Sequence, residues 1–165
     1  DYINMISSVT SAQQIETAAR QRRLAVLAKT PLAQLQAAWN ALEDKPAYRM
    51  LRPSETGLVM VRGRIGGSGP PFNFGEMTMT RAAVQLLDQA GDVRHAGFGH
   101  VAGRSAQHAE LVALFDALLQ DPARHDAIAR AVVEPFAASQ AAAKATQTTK
   151  VMASKVDFFT MVRGE

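Results

Sequence analysis

Two alternating stretches face each other across a glycine- and proline-rich break, RGRIGGSGPPFNFGE (Arg62 to Glu76). Before it, Leu58 to Ile65 places Val59, Val61 and Ile65 on one face and Arg62 and Arg64 on the other; after it, Glu76 to Val84 alternates again. A period of two is the period of a strand. A chain that alternates, breaks and alternates once more has to double back on itself, which predicts an antiparallel hairpin. A Gly91-Asp92 turn then leads to a third candidate strand near Gly97 to Ala102, so the middle of the chain reads as a meander.

The flanks change to a helical period. From Ser11 to about Lys29, Ile15, Ala18, Ala19, Arg22 and Val26 share a face that Leu24 and Leu27 widen. Thr30-Pro31 reads as an N-cap followed by proline at the first helical position. Leu32, Leu35, Trp39 and Leu42 follow, in a helix expected to stop before Pro46. Beyond the strands, Leu111, Leu114, Phe115 and Leu118 form an apolar stripe, and Asp121-Pro122 repeats the cap-and-proline start. Pro135 is expected to break or kink the next helix, before an alanine-rich helix from Phe136 to about Lys155. The expected fold is α+β: an N-terminal helical hairpin, an antiparallel three- to four-stranded meander, C-terminal helices and a terminal strand. The 165 residues fit a single domain, with 1–19 as a helical extension.

Composition removes several chemistries. The chain has no cysteine, which excludes thiol catalysis and a cluster ligated by this chain, and fits a cytoplasmic protein. No apolar run approaches a membrane span, and no signal-peptide pattern opens the sequence. The net charge of +3 is mildly basic, and Arg20, Arg22 and Arg23 form the tight basic cluster. That cluster motivates a competing reading as a small basic nucleic-acid-binding module, but a solvated helix face accounts for it more simply.

The glycine-rich break is not a P-loop, because no lysine follows and the next element is a strand. Pro70-Pro71 also removes backbone donors where an anion nest would need them. Two readings stay open for Arg62, Arg64, Gly66, Gly67, Gly69 and Phe72. They form either a wide loop whose glycines adopt positive φ, or a tip offered to a partner or a phosphorylated ligand. At the third strand's exit, GRSAQHAE (Gly103 to Glu110) puts Arg104 and His108 four apart near a helix N-terminus, where anions are favoured. Arg104, His108 and Glu110 are thus weak catalytic candidates; alternatively Gln107 and Glu110 cap the first turn while His108 packs under the sheet. His95, His100, His108 and His125 show no metal-ligand spacing, so no metal is expected.

Three stretches together resemble the PhnG family: ETGLVMVRGRIGGSGPPFNFGEMTMTRAAV (Glu55 to Val84), GRSAQHAELVALFDALL (Gly103 to Leu119) and KVMASKVDFFTMVRGE (Lys150 to Glu165). The resemblance runs from about Arg20 to the C-terminus, and His100 stands where the family pattern carries an aromatic residue. It implies a small subunit of the bacterial carbon–phosphorus lyase machinery, acting with PhnH, PhnI and PhnL. Together these displace adenine of ATP by methylphosphonate, and a stable core includes PhnJ. It further implies that ATP and methylphosphonate are substrates of the complex, that this chain binds no cofactor, and that nucleosidase chemistry belongs to PhnI. The chain would then be accessory rather than catalytic, with no nucleic-acid or membrane partner. Val156 to Arg163 is bulky and apolar on both strand faces, so Asp157, Phe158, Phe159, Met161 and Arg163 are expected at a partner interface. An isolated chain is expected to self-associate through the hairpin or this tail.

Overall fold

The computed structural model describes residues 2–65 and 68–153, with side chains from Gln13 to Met152. Helices α1 (Tyr2–Lys29) and α2 (Leu32–Asn40) precede strands β1 (Tyr48–Arg64), β2 (Pro71–Leu87) and β3 (Val93–Ala102). Helix α3 (Ala106–Leu118), a short α4 (His125–Ile128), a π-helical turn (Ala129–Val133) and α5 (Glu134–Ala153) complete the described chain. Among the described residues the sheet has three antiparallel strands in the order β1-β2-β3, as a meander requires, and the expected terminal strand lies outside them.

Alternation along β2 and β3 decides which face is covered. Thr80, Ala82, Val84 and Leu86 of β2 and Gly97, Gly99 and Val101 of β3 point to one side and are buried. Helix α3 lies on that side, buried along nearly its whole length from Ala109 to Leu119, and α1 and α2 pack on it in turn. Gly97 and Gly99 allow the closest approach: a Cβ on Gly97 would overlap the Ala113 carbonyl, and one on Gly99 the Ala109 carbonyl. Trp39 meets Phe115 edge-on at 6.1 Å, which fastens α2 to α3.

The α1 face is rotated from its sequence expectation. Leu27 is fully buried, whereas Ile15 is 67% exposed and Arg22 is exposed. The cause is Arg20, whose Nε and Nη2 donate to Asp116 of α3 at 3.0 and 2.7 Å. A half-buried arginine counts against a hydrophobic stripe on paper but packs on its face in the fold. Thr30 is not the expected cap: its hydroxyl donates back to the Val26 carbonyl, and Pro31 itself stands at the N-cap of α2. Gln140 of α5 donates to the same carbonyl and to Thr30 Oγ1, so the α1 C-terminus is closed by side chains.

Pro135 does not break the helical path. The π turn immediately before it widens the ladder where proline offers no N–H and its ring would crowd the carbonyl of Ala131. Strand β1 starts well before the expected Leu58. Register shifts around Arg52 absorb Pro53 and scramble the alternation that sequence reading depends on.

In the β2–β3 turn, Asp88 accepts from the backbone N–H groups of Ala90 and Asp92 and from Arg94 Nε, while Gly91 takes a φ of 86°. The N–H of Asp92, then that of Ala90, then Arg94 hold its carboxyl below the ordinary aspartate value. A depressed folded-state pKa gives a contribution present above the unfolded value and lost as pH falls through the folded one. The turn is therefore expected to loosen only below the ordinary aspartate range. Faster amide exchange at Ala90 and Asp92 than the general acid trend would show it, and Asp88→Asn should remove the step.

Candidate functional site

Strand β3 stops pairing with β2 at Met79 opposite Ala102, but β1 and β2 continue together to Arg64 opposite Pro71. The hairpin beyond Gly57 and Met79 is a two-stranded ribbon, about 25 Å long at a strand's rise per residue. Leu58, Met60, Ile65 and Phe74 are exposed, with Ile65 at 74% and Phe74 at 76%. Val59 and Val61 are half-buried, so neither ribbon face is a core face, and Ile65 is not packed beside Val61 as its alternation predicted. Apolar residues on both sides of a lone ribbon suit a partner's surface rather than water.

The tip holds itself together. Gly69 N–H donates to the Ile65 carbonyl at 3.0 Å, and Arg64 Nη1 donates to the Gly69 carbonyl at 2.9 Å. Gly69 does not adopt the expected positive φ. A Cβ there would stand 2.9 Å from the Ile65 oxygen, so close approach is what requires glycine. Phe72 lies over Gly63 across the ribbon and meets Phe74 at 6.1 Å. Arg62 and Arg64 line a shallow concavity with Gly63 and Pro71. Gly66 and Gly67, and the tail residues Asp157, Phe158, Phe159, Met161 and Arg163, lie outside the described residues.

The helix-entry group does not converge. Ser105, not Gln107 or Glu110, is the N-cap of α3, its hydroxyl accepting from His108 N–H at 3.3 Å. Arg104 therefore precedes the cap and is exposed, so its spacing from His108 is not a helical one. Glu110 accepts from Ser54 Oγ at 2.6 Å, tying α3 to the irregular part of β1, and Gln107 donates to Gln36. His108 Nε2 is buried without a hydrogen-bond partner among the described residues. Gly103 turns the chain with a φ of 94°, and Thr80 Oγ1 donates to its carbonyl at 2.7 Å. Since that uses the only Thr80 proton, Thr56 is the donor in the 3.0 Å contact between the two threonines. These contacts build the β3–α3 junction. Nothing in them presents a nucleophile and a base to one another.

The basic cluster is divided as well. Arg20 is committed to Asp116 and Arg23 to Glu16, leaving Arg22 exposed. Among the described residues no three His, Asp or Glu side chains gather in a metal-holding group, and no helix is long and apolar enough to cross a membrane.

Sequence reasoning passed over the sheet face opposite α3. There the register sets Glu55, Arg81 and His100 in one row and Arg52, Ala83 and Phe98 in the next. Arg81 Nε and Nη2 both donate to Glu55 Oε2, at 3.0 and 2.7 Å. A hollow of about 340 Å³ opens over these rows. Arginines at odd positions of interrupted strands carry no motif, which is why only the pairing register reveals them.

A family model described as "Phosphonate metabolism protein PhnG" matches residues 18–164. The "Alpha-D-ribose 1-methylphosphonate 5-triphosphate synthase subunit PhnG" of Rhizobium meliloti (strain 1021) is 43% identical over 161 residues, covering 98% of this chain and 99% of that protein. Agreement of that extent, running through the hairpin, the β3–α3 junction and the C-terminal stretch, has one reading: this chain belongs to the PhnG family.

Proposed function

We propose that this chain serves as the PhnG subunit of an alpha-D-ribose 1-methylphosphonate 5-triphosphate synthase, a cytoplasmic complex in which methylphosphonate displaces adenine of ATP. The observation that carries the proposal is the near end-to-end 43% identity with a subunit so named. Its partners are PhnH, PhnI and PhnL, with PhnJ in the stable core. The nucleosidase step belongs to PhnI, and this chain contributes binding surface. Co-expressed with those partners, the chain should co-purify and be required for adenine release; purified alone, it should release none. Full synthase activity without the chain would refute its place in the complex, and turnover by the isolated chain would refute its accessory role.

The ribbon is the docking element in this proposal. A lone two-stranded hairpin is marginal in water, and here Phe74 and Leu58 stay exposed on it. Replacing both by serine should leave folding within about 0.5 kcal/mol, as for ordinary surface changes. It should weaken assembly by about 2 kcal/mol or more if an aromatic anchor is lost. Pull-down affinity checks this, and unchanged capture of the partners would place the interface elsewhere. The same open ribbon should make the isolated chain self-associate, which light scattering reads directly; a monodisperse monomer would refute it.

A further inference from the structure

We infer that the sheet face opposite α3 carries a binding site of its own for a small organophosphate with an unsaturated ring, in the hollow over Ala83 between Arg52, Arg81, Phe98 and His100. The inference goes beyond the subunit assignment and does not depend on it.

The hollow exists because of one small residue. Ala83 sits in the central strand between Arg52 and Phe98, its direct cross-strand neighbours. Neighbouring strands lie about 4.8 Å apart and successive rows about 7 Å apart, so a small side chain at that point leaves a basin ringed by long ones. At about 340 Å³ it reaches the size of small-molecule sites.

The charges do not close on themselves. An ordinary solvated sheet face sets opposite charges across neighbouring strands. Here Arg52 stands opposite alanine and makes no hydrogen bond or ion pair with a described residue. Arg81 spends Nε and Nη2 on a single oxygen of Glu55, leaving Nη1 uncommitted. Arg52, Arg81 and Glu55 therefore sum to one uncompensated positive charge with free guanidinium donors, a geometry suited to phosphoryl oxygens.

The ring component comes from Phe98, 41% exposed and lining the hollow. It is held from behind. Its backbone N–H donates to Asp116 at 3.0 Å, and the Arg20 guanidinium stands 5.8 Å from its ring centroid. An aromatic fixed in this way beside unpaired guanidiniums can stack a flat ring while the arginines take the phosphate.

Titration of the ¹⁵N-labelled full chain with AMP tests the site, with adenosine and inorganic tripolyphosphate as probes of ring and charge alone. AMP should shift the amides of Ala83, Phe98 and His100, and should bind more tightly than either probe. Arg52→Gln, at an exposed position, should weaken AMP at least tenfold with the rest of the spectrum unchanged. Ala83→Leu should abolish binding by filling the basin; should it fail to fold, Arg52→Gln alone decides. Binding unaltered by Arg52→Gln, shifts confined to other regions, or no binding of any probe would overturn the inference. So would amides of this face that respond only to partner protein, which would make it a protein interface.

Discussion

The Gly99→Ala variant is expected to lose about 3 kcal/mol or more, the upper end of the cost of overpacking a core, for the addition of a single methyl group. The reason is what the methyl would meet. It would fall on the Ala109 carbonyl and stand 2.9 Å from the Ala113 nitrogen, both parts of the α3 backbone. A side chain can rotate away; a helix backbone can only be pushed off the sheet. Moving α3 would disturb Leu111, Val112, Leu114, Phe115 and Leu118 together, since all are buried around it. In a protein of this size about 3 kcal/mol corresponds to a fall of roughly 6–12 °C in Tm. Thermal denaturation checks it, and Gly57→Ala is the control. A Cβ at Gly57 meets nothing within 4 Å, so that change should be neutral or slightly stabilising. A Gly99→Ala protein as stable as the control would mean that the sheet and α3 are not in this close contact.

That contact also shows where sequence reading succeeds and where it stops. The meander was legible because Leu58 to Ile65 and Glu76 to Val84 alternate on either side of a break that only a turn can use. The stripe from Leu111 to Leu118 was legible as a helix for the same periodic reason, and both are present. What could not be read was how elements meet. Gly97 and Gly99 look like strand-weakening residues until Ala109, Ala113 and Ala117 are placed against them. Tyr48 to Gly57 hid as a strand because Pro53 and the irregular register around Arg52 destroy its alternation. The expected Arg104–His108 pair failed for a one-residue reason: Ser105 takes the cap, so Arg104 never enters the helix. The arginine-bearing face opposite α3 shares this character, for its residues are neighbours across strands and strangers along the chain.

Arg20→Ala is expected to be the most damaging change to a charged residue, costing about 3 kcal/mol, the low end for breaking a buried ion pair. Asp116 is 2% exposed, and the variant would leave its carboxylate with only the Phe98 N–H. Arg20 is about a third exposed, so water can partly replace the guanidinium, and this sets the expectation at the low end. Surface pairs behave differently: Arg81–Glu55, exposed on both sides, should be worth under about 1 kcal/mol and should weaken with salt. Added salt should scarcely alter the Arg20 effect. The hydrogen bond to Asp116 raises the Arg20 pKa above the ordinary arginine value. A raised folded-state pKa means that the contribution is complete below the unfolded value and lost only as pH rises through the folded one, beyond the working range of the protein. Denaturation of Arg20→Ala and Arg20→Lys at two salt concentrations separates the possibilities. Lysine should recover only part of the loss, because one ammonium cannot supply the paired Nε and Nη2 bonds that Asp116 accepts. If Arg20→Ala costs no more than Arg81→Ala, the pair is a surface contact. The Phe98 ring, which Arg20 backs at 5.8 Å, would then be positioned by the sheet alone.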